Sequence, residues 1–271
     1  MPLAQRFNQN GKVIVMSETT DEPLTLAGYC AGVCWNADVS DPKKNFKRGL
    51  QCLKDGHGKV LEYAQVYLIL DGWSARVIRE LMTHNSGLPS RLQASTRYVD
   101  YSNFAYVCPR AATPAQEKLY EDAMAEITTA AQSLEENGMK REDAALLLPL
   151  GMQTKIVYRT NLRALIDMAK VRMCTRAYWE YRELMDAILE ALSIYSDEWS
   201  YLVEDLVVFA PKCTELGYCP ESKGCGRFPK IDEVRNVFQL VQRIIKAKTL
   251  TQKEIISAIN SAATLKKENL K

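Results

Sequence analysis

Residues 161–180 read Asn-Leu-Arg-Ala-Leu-Ile-Asp-Met-Ala-Lys-Val-Arg-Met-Cys-Thr-Arg-Ala-Tyr-Trp-Glu. Asn161 is a good N-cap, and apolar side chains then recur at helical spacing, which predicts a helix over Leu162–Arg172. A second, longer amphipathic helix is predicted over Thr175–Tyr195. Arg163 and Arg172 lie nine residues apart, about two and a half helical turns, so they face different directions and suit separate tasks. On chemistry alone this stretch also fits a solvated helix face.

Working outward, Gln93-Ala94-Ser95-Thr96-Arg97-Tyr98 places Ser95 and Arg97 at i and i+2. In extended structure those side chains share a face. A hydroxyl, a guanidinium and loop N–H groups together suit a phosphate monoester, because Arg makes forked, charge-assisted bonds to its oxygens. A polar turn is the alternative. The two histidines, His57 and His84, both fall at element ends, where functional side chains gather on a rigid scaffold.

The remaining chain alternates strand and helix signals. Val13–Val15 and Val60–Leu70 read as strands, the second stopped by Asp71-Gly72. Phe46–Leu53 is a helix ended by Asp55-Gly56, and Ser74 caps another running to about Met82. Thr113-Pro114-Ala115-Gln116 is a capping box with proline at the first helical position, opening a helix to Glu136. A shorter helix covers Arg141–Leu148. Helical signal returns after Trp199, Pro211–Pro229 is irregular, and residues 231–271 form a helical tail with a second capping box at Thr251–Glu254. The balance is helix-rich α+β.

Composition narrows the class. The formal net charge is +2, too small for an extended nucleic-acid footprint. No run approaches the ~20 apolar residues of a membrane span, and Met1–Met16 lacks the pattern of a secretory leader. Eight cysteines in such a chain read as reduced thiols, so a cytoplasmic protein binding neither nucleic acid nor membrane is expected. Cys213, Cys219 and Cys225 lack the paired spacing of a zinc ribbon and read as a structural loop, so no metal is expected. None of the cysteines adjoins a histidine; Cys108, followed by Pro109-Arg110, is a weak nucleophile candidate.

Taken in order, the motifs are Gly56-His57-Gly58-Lys59-Val60-Leu61-Glu62, Trp73-Ser74-Ala75-Arg76, Thr83-His84-Asn85, Gln93–Tyr98, Leu148-Pro149-Leu150, Asn161-Leu162-Arg163, Arg172 and Ala177-Tyr178-Trp179-Glu180. This combination resembles the flavin-dependent thymidylate synthase family over roughly residues 28–185. The resemblance implies a helix-rich α+β fold, with a small mixed or antiparallel sheet packed with long helices. Residues 1–212 would form the catalytic domain, 213–230 a Cys-containing loop and 231–271 a C-terminal helical extension.

The resemblance also implies an FAD enzyme that moves a one-carbon unit from methylenetetrahydrofolate to C5 of dUMP, with NADPH as reductant and no protein nucleophile, acting as a homotetramer. By that analogy Gln93, Ala94, Ser95 and Arg97 hold the nucleotide and Arg172 is the catalytic contact to the uracil edge. His57, Thr83, His84, Asn85, Asn161 and Arg163 would line the flavin. The sequence departs from the family's Arg-His-Arg signature, because Thr83 and Asn85 replace both arginines. Each lost charge-assisted contact is worth ~1.5–3 kcal/mol; Lys59, Arg76 and Arg91 are candidate substitutes. Ala145 stands where many members carry an arginine. The alternatives are a nucleotide-binding homologue without turnover, or a methylase of another uracil nucleotide such as UMP.

Overall fold

A computed structural model describes residues 6–7, 11–110, 112–206 and 208–246. The strands are β1 (Arg6–Phe7), β2 (Lys12–Val15), β3 (Gln65–Ser74), β4 (Ser90–Gln93), β5 (Tyr106–Val107) and β6 (Gln153–Asn161). The helices are α1 (Pro23–Cys34), α2 (Pro42–Lys54), α3 (Ala75–Leu81), α4 (Pro114–Glu136), α5 (Arg141–Ala144), α6 (Leu162–Arg172), α7 (Trp179–Tyr195), α8 (Asp197–Ser200), α9 (Lys212–Leu216) and α10 (Ile231–Lys246). Short 3₁₀ turns cover Gly58–Glu62 and Ala145–Leu147, and a π turn covers Tyr201–Asp205. This is the expected helix-rich α+β class. The chain divides into two units, residues 1–211 and 212–271.

In the first unit a four-stranded antiparallel sheet has the order β2-β3-β6-β4, and β1 pairs with β5 in parallel. Val66, Leu68, Leu70, Ile156 and Tyr158 alternate onto one face and are buried with residues of α1, α3, α6 and α7. On α7, Tyr181, Leu184, Met185, Ile188, Leu189 and Leu192 recur at helical spacing and face this core, the pattern of an amphipathic helix closed over a sheet. A smaller cluster joins Phe104, Tyr106, Met124 and Met152.

Local chemistry explains most element ends. Thr113 and Gln116 form the reciprocal capping box, and Asp41, Ser74 and Asn161 each accept backbone N–H bonds at their helix starts. Helices α1 and α2 approach closely through glycines. A Cβ on Gly28 would lie 1.8 Å from the Asn45 carbonyl oxygen, and one on Gly49 1.9 Å from the Leu24 carbonyl oxygen.

Several expectations are corrected. The strand expected over Val60–Leu70 begins at Gln65, after the 3₁₀ turn, and runs through Asp71-Gly72 to Ser74. A bulge between Asp71 and Trp73 absorbs Gly72 at φ +81°, and with one residue added the alternation resets and Trp73 is buried. Helix α7 starts at Trp179 rather than Thr175, and the helix expected over Arg141–Leu148 splits into α5 and a 3₁₀ turn. Strands β4 and β6 and helix α1 were not expected. The alternation of Thr154, Ile156 and Tyr158 inward with Lys155 and Val157 outward is a period-two signal that would have found β6.

In the second unit, Cys219 is buried, its N–H donating to the Pro229 carbonyl at 2.7 Å, and α9 interrupts the stretch expected to be irregular. Among the described residues no three His, Cys, Asp or Glu side chains gather as they would around a metal ion, and no helix is long and apolar enough to cross a membrane. The capping box expected at Thr251–Glu254 lies outside the described residues.

Candidate active site

The last turn of α6 meets the end of α3, and Arg172 is the junction. Its Nε donates to His84 Nε2 at 2.8 Å, Nη1 to Glu80 Oε2 at 2.7 Å and Nη2 to Thr83 Oγ1 at 3.3 Å. The guanidinium carbon sits 4.5 Å from the centroid of the Tyr181 ring, close enough for a cation–π contact. Only 17% of the Arg172 side chain is exposed. An arginine fixed by a carboxylate, an imidazole, a hydroxyl and a ring is oriented before any ligand arrives.

His84 carries the complementary chemistry. Burial first, then the positive charges of Arg172 and Arg91, depress its pKa from 6.5 to about 4. Accepting from Arg172 through Nε2 requires the neutral ring, with its proton on Nδ1. An unfolded histidine titrates near 6.5, so between pH 6.5 and 4 the unfolded chain binds the proton that the folded site refuses. The stability that the neutral ring contributes is therefore complete above pH 6.5 and is lost as pH falls toward 4. Urea denaturation at pH 7 and pH 4.5 should show the gap between the original protein and His84→Gln shrinking, or reversing, at the lower pH. A constant gap would mean that His84 titrates normally.

Beside this junction is a cavity of about 230 Å³ lined by Thr83, His84, Asn85, Ser86, Tyr158, Ala164, Asp167 and Met168. Asn161 packs next to Gly87, close to this lining. It is 4% exposed, its Oδ1 caps α6 by accepting from Ala164 N at 2.9 Å, and a Cβ on Gly87 would lie 2.4 Å from its Nδ2.

A second cluster sits at the other end of α6. Exposed Arg163 pairs with Glu62 at 2.8 Å, Lys59 pairs with the same carboxylate at 2.6 Å, and a Cβ on Gly58 would lie 3.2 Å from Arg163 Nε. The two cations hold Glu62 below the usual carboxylate range. Exposed His57 stands at the start of this 3₁₀ turn with no side-chain capping bond.

The 93–98 block follows β4. Gln93 Nε2 donates to Thr154 Oγ1 at 3.3 Å, and Ala94 N to the Lys155 carbonyl at 2.8 Å. Beyond Gln93 the chain turns instead of staying extended: Ser95 Oγ accepts from Arg97 N at 3.2 Å, and the Ser95 carbonyl accepts from Val99 N at 3.0 Å. Ser95 and Arg97 therefore meet through a backbone bond within a turn, and the strand alternation expected of them is absent. Exposed Arg97 is paired with Glu142 at 2.7 Å.

The family described as Thymidylate synthase complementing protein matches residues 15–194. The flavin-dependent thymidylate synthase of Nitratidesulfovibrio vulgaris is 32% identical over 235 residues, covering 78% of this chain and 92% of that protein. The chain belongs to the flavin-dependent thymidylate synthase family. A relative of the same name from Pyrococcus furiosus is 33% identical over 61% of this chain and 69% of its own length. The structure of the Helicobacter pylori flavin-dependent thymidylate synthase complexed with FAD and dUMP superposes with a TM-score of 0.57 at 21% identity, covering 72% of this chain and 99% of that one. Membership identifies a methyltransferase-type enzyme and the fold.

Within that family fold, the structure brings Thr83, His84 and Asn85 to one cavity, with Arg172 bonded to Thr83 and His84 and Asn161 packed close to Gly87. It sets His57 and Arg163 beside one another and Gln93–Arg97 on its own turn. Glu80 and Tyr181, two of the groups that hold Arg172, were absent from the sequence-based expectations. Glu80 lies 92 residues from its partner, and no local signal marks such a pair. The Trp179-Glu180 motif also acquires a role. Glu180 is 2% exposed and accepts from Ser74 N at 2.7 Å and Ser74 Oγ at 2.5 Å. It therefore anchors the start of α3, the helix that delivers Glu80, Thr83 and His84.

Proposed function

We propose that this chain methylates C5 of dUMP, taking the one-carbon unit from methylenetetrahydrofolate and using FAD and NADPH, without a protein nucleophile. The observation that carries this reading is Arg172, held by Glu80 and by His84 and Thr83, two residues of the cavity wall. A guanidinium fixed in advance polarises a uracil carbonyl as negative charge develops on its oxygen, and C5 becomes the better nucleophile. The neutral His84 adds no competing positive charge.

Ser95 and Arg97, with Gln93 and Ala94 beside them, are the phosphate-binding set. For them to act, Arg97 exchanges its exposed Glu142 partner for phosphate, and surface pairs of this kind are worth little. His57, Thr83, His84, Asn85, Asn161 and Arg163 are the flavin-lining set. Three of them fit that cofactor: Thr83, His84 and Asn85 line the cavity with hydroxyl, imidazole and amide groups, and the buried Nε of Arg91, which bonds His84 and Asn85, has no hydrogen-bond partner. When bound, the flavin supplies the hydride chemistry; the protein orients and excludes water.

A homotetramer is supported by the outer face of the sheet. Ile14, Ile69, Val157 and Leu92 stand in register across all four strands, and Ile14, Val157 and Leu92 are exposed. Residues 1–212 carry this activity, with 213–230 a Cys-containing loop and 231–271 a helical extension, in the cytoplasm.

The absorption spectrum of the purified chain tests the reading, with flavin bands expected on isolation or after adding FAD. Tritium release from C5-labelled dUMP, with methylenetetrahydrofolate and NADPH present, should exceed release from C5-labelled UMP. Absence of flavin bands even after FAD addition would leave a nucleotide-binding homologue, and faster release from UMP would change the substrate.

A further inference from the structure

Three cations were candidates to make up for Thr83 and Asn85, and the structure separates them. Lys59 is 79% exposed and tied to Glu62. The guanidinium of Arg76 lies 4.4 Å over the Tyr178 ring and 4.0 Å from Glu80. Arg91 alone of the three reaches the loop that carries the lost positions. It stands on β4 directly opposite Tyr158, a residue of the cavity wall. Its Nη2 donates to the His84 carbonyl and its Nη1 to Asn85 Oδ1 at 3.2 Å.

Those two bonds leave Arg91 Nε buried and without a partner. A buried N–H cut off from water and from any acceptor is costly, and such a group points to an acceptor supplied from outside the chain. We infer that Arg91 is a cofactor-binding residue of this enzyme, presenting its guanidinium to an acceptor oxygen of FAD at the cavity walled by Thr83, His84, Asn85 and Ser86. This rests on the flavin reading above and deepens it.

The inference explains how the site keeps a guanidinium although neither neighbour of His84 is an arginine. The charge comes from β4, bonded to the loop at His84 and Asn85. Its effect is already felt in the site, since Arg91 is one of the two cations that lower the proton affinity of His84. Asp167 lies in the same lining, partly neutralised by Lys170 at 4.0 Å, and does not pair with Arg91 in the structure.

The geometry also supplies a test that separates binding from loop support. Asn85 is exposed, and its amide oxygen lies beside the tip of Arg91, so a guanidinium introduced at position 85 starts where that of Arg91 ends. Flavin-free full-length protein is titrated with FAD by quenching of flavin fluorescence. Arg91→Gln should bind FAD at least tenfold more weakly than the original protein. Adding Asn85→Arg to Arg91→Gln should recover at least half of the lost affinity on a logarithmic scale.

The inference is overturned if Arg91→Gln binds FAD within twofold of the original protein, or if the double variant binds no more tightly than Arg91→Gln. Melting curves without FAD show whether each variant folds. Should Arg91→Gln not fold, Arg91→Lys carries the test: FAD binding weakened threefold or more supports the inference, and unchanged affinity overturns it. Failure of the original protein to bind FAD is a separate outcome, which removes the flavin reading itself.

Discussion

Replacing Arg172 with alanine should lower kcat for tritium release from C5-labelled dUMP by a factor of about 10²–10³, the usual cost of losing one preorganised donor at a developing oxyanion. Flavin affinity should fall far less, by about threefold at most, because Arg172 is proposed to face the uracil and touches the flavin-lining set only through Thr83 and His84. Stopped turnover with retained flavin bands is the signature of a uracil-facing residue. Equal loss of both would assign Arg172 to the cofactor. Arg172→Lys should be nearly as inactive, because one ammonium cannot reproduce the fork that meets a carboxylate, an imidazole and a hydroxyl together.

Glu180→Ala should be the most damaging substitution for stability. Glu180 is 2% exposed and receives both the N–H and the hydroxyl of Ser74. Removing it strands two buried donors and leaves a cavity, at a cost of about 3 kcal/mol or more. The urea midpoint should fall accordingly. Because Ser74 Oγ also caps α3 by accepting from Val77 N at 3.1 Å, the loss should spread to the Thr83–Asn85 loop. Hydrogen exchange should therefore show α3 opening earlier than α4, whose cap at Thr113 is independent. Equal protection of both helices in the variant would refute the anchor role.

Features set by local chemistry are legible in the sequence. The caps at Ser74, Thr113 and Asn161 were legible because a cap is a bond between residues three apart, written into the chain itself. The long helices α4 and α6 followed for the same reason. Boundaries failed where a neighbour in space decided them. Asp71-Gly72 carries every local sign of a strand end, yet β3 continues because β6 supplies ladder partners on both sides of the bulge. β4 is short, with Leu92 73% exposed; it is a strand only because the edge of β6 is there to pair with.

The candidate site shows the same division. Its residue types and their order along the chain, Ser95, Arg97, Asn161, Arg163, Arg172 and Glu180, were enough to place the chain in its family. The tertiary structure decided what those residues touch. Arg172 meets His84 and Glu80 across separations of 88 and 92 residues, and Glu180 meets Ser74 across 106. Contacts that distant exist only once the sheet has set the end of α6 beside the end of α3. The sequence by itself determined helices α3, α4 and α6, their caps and the family. Which arginine is clamped by Glu80 and His84, which bonds the loop at His84 and Asn85 and which forms a surface pair with Glu142 was decided by packing, because a guanidinium takes its role from the partners that surround it.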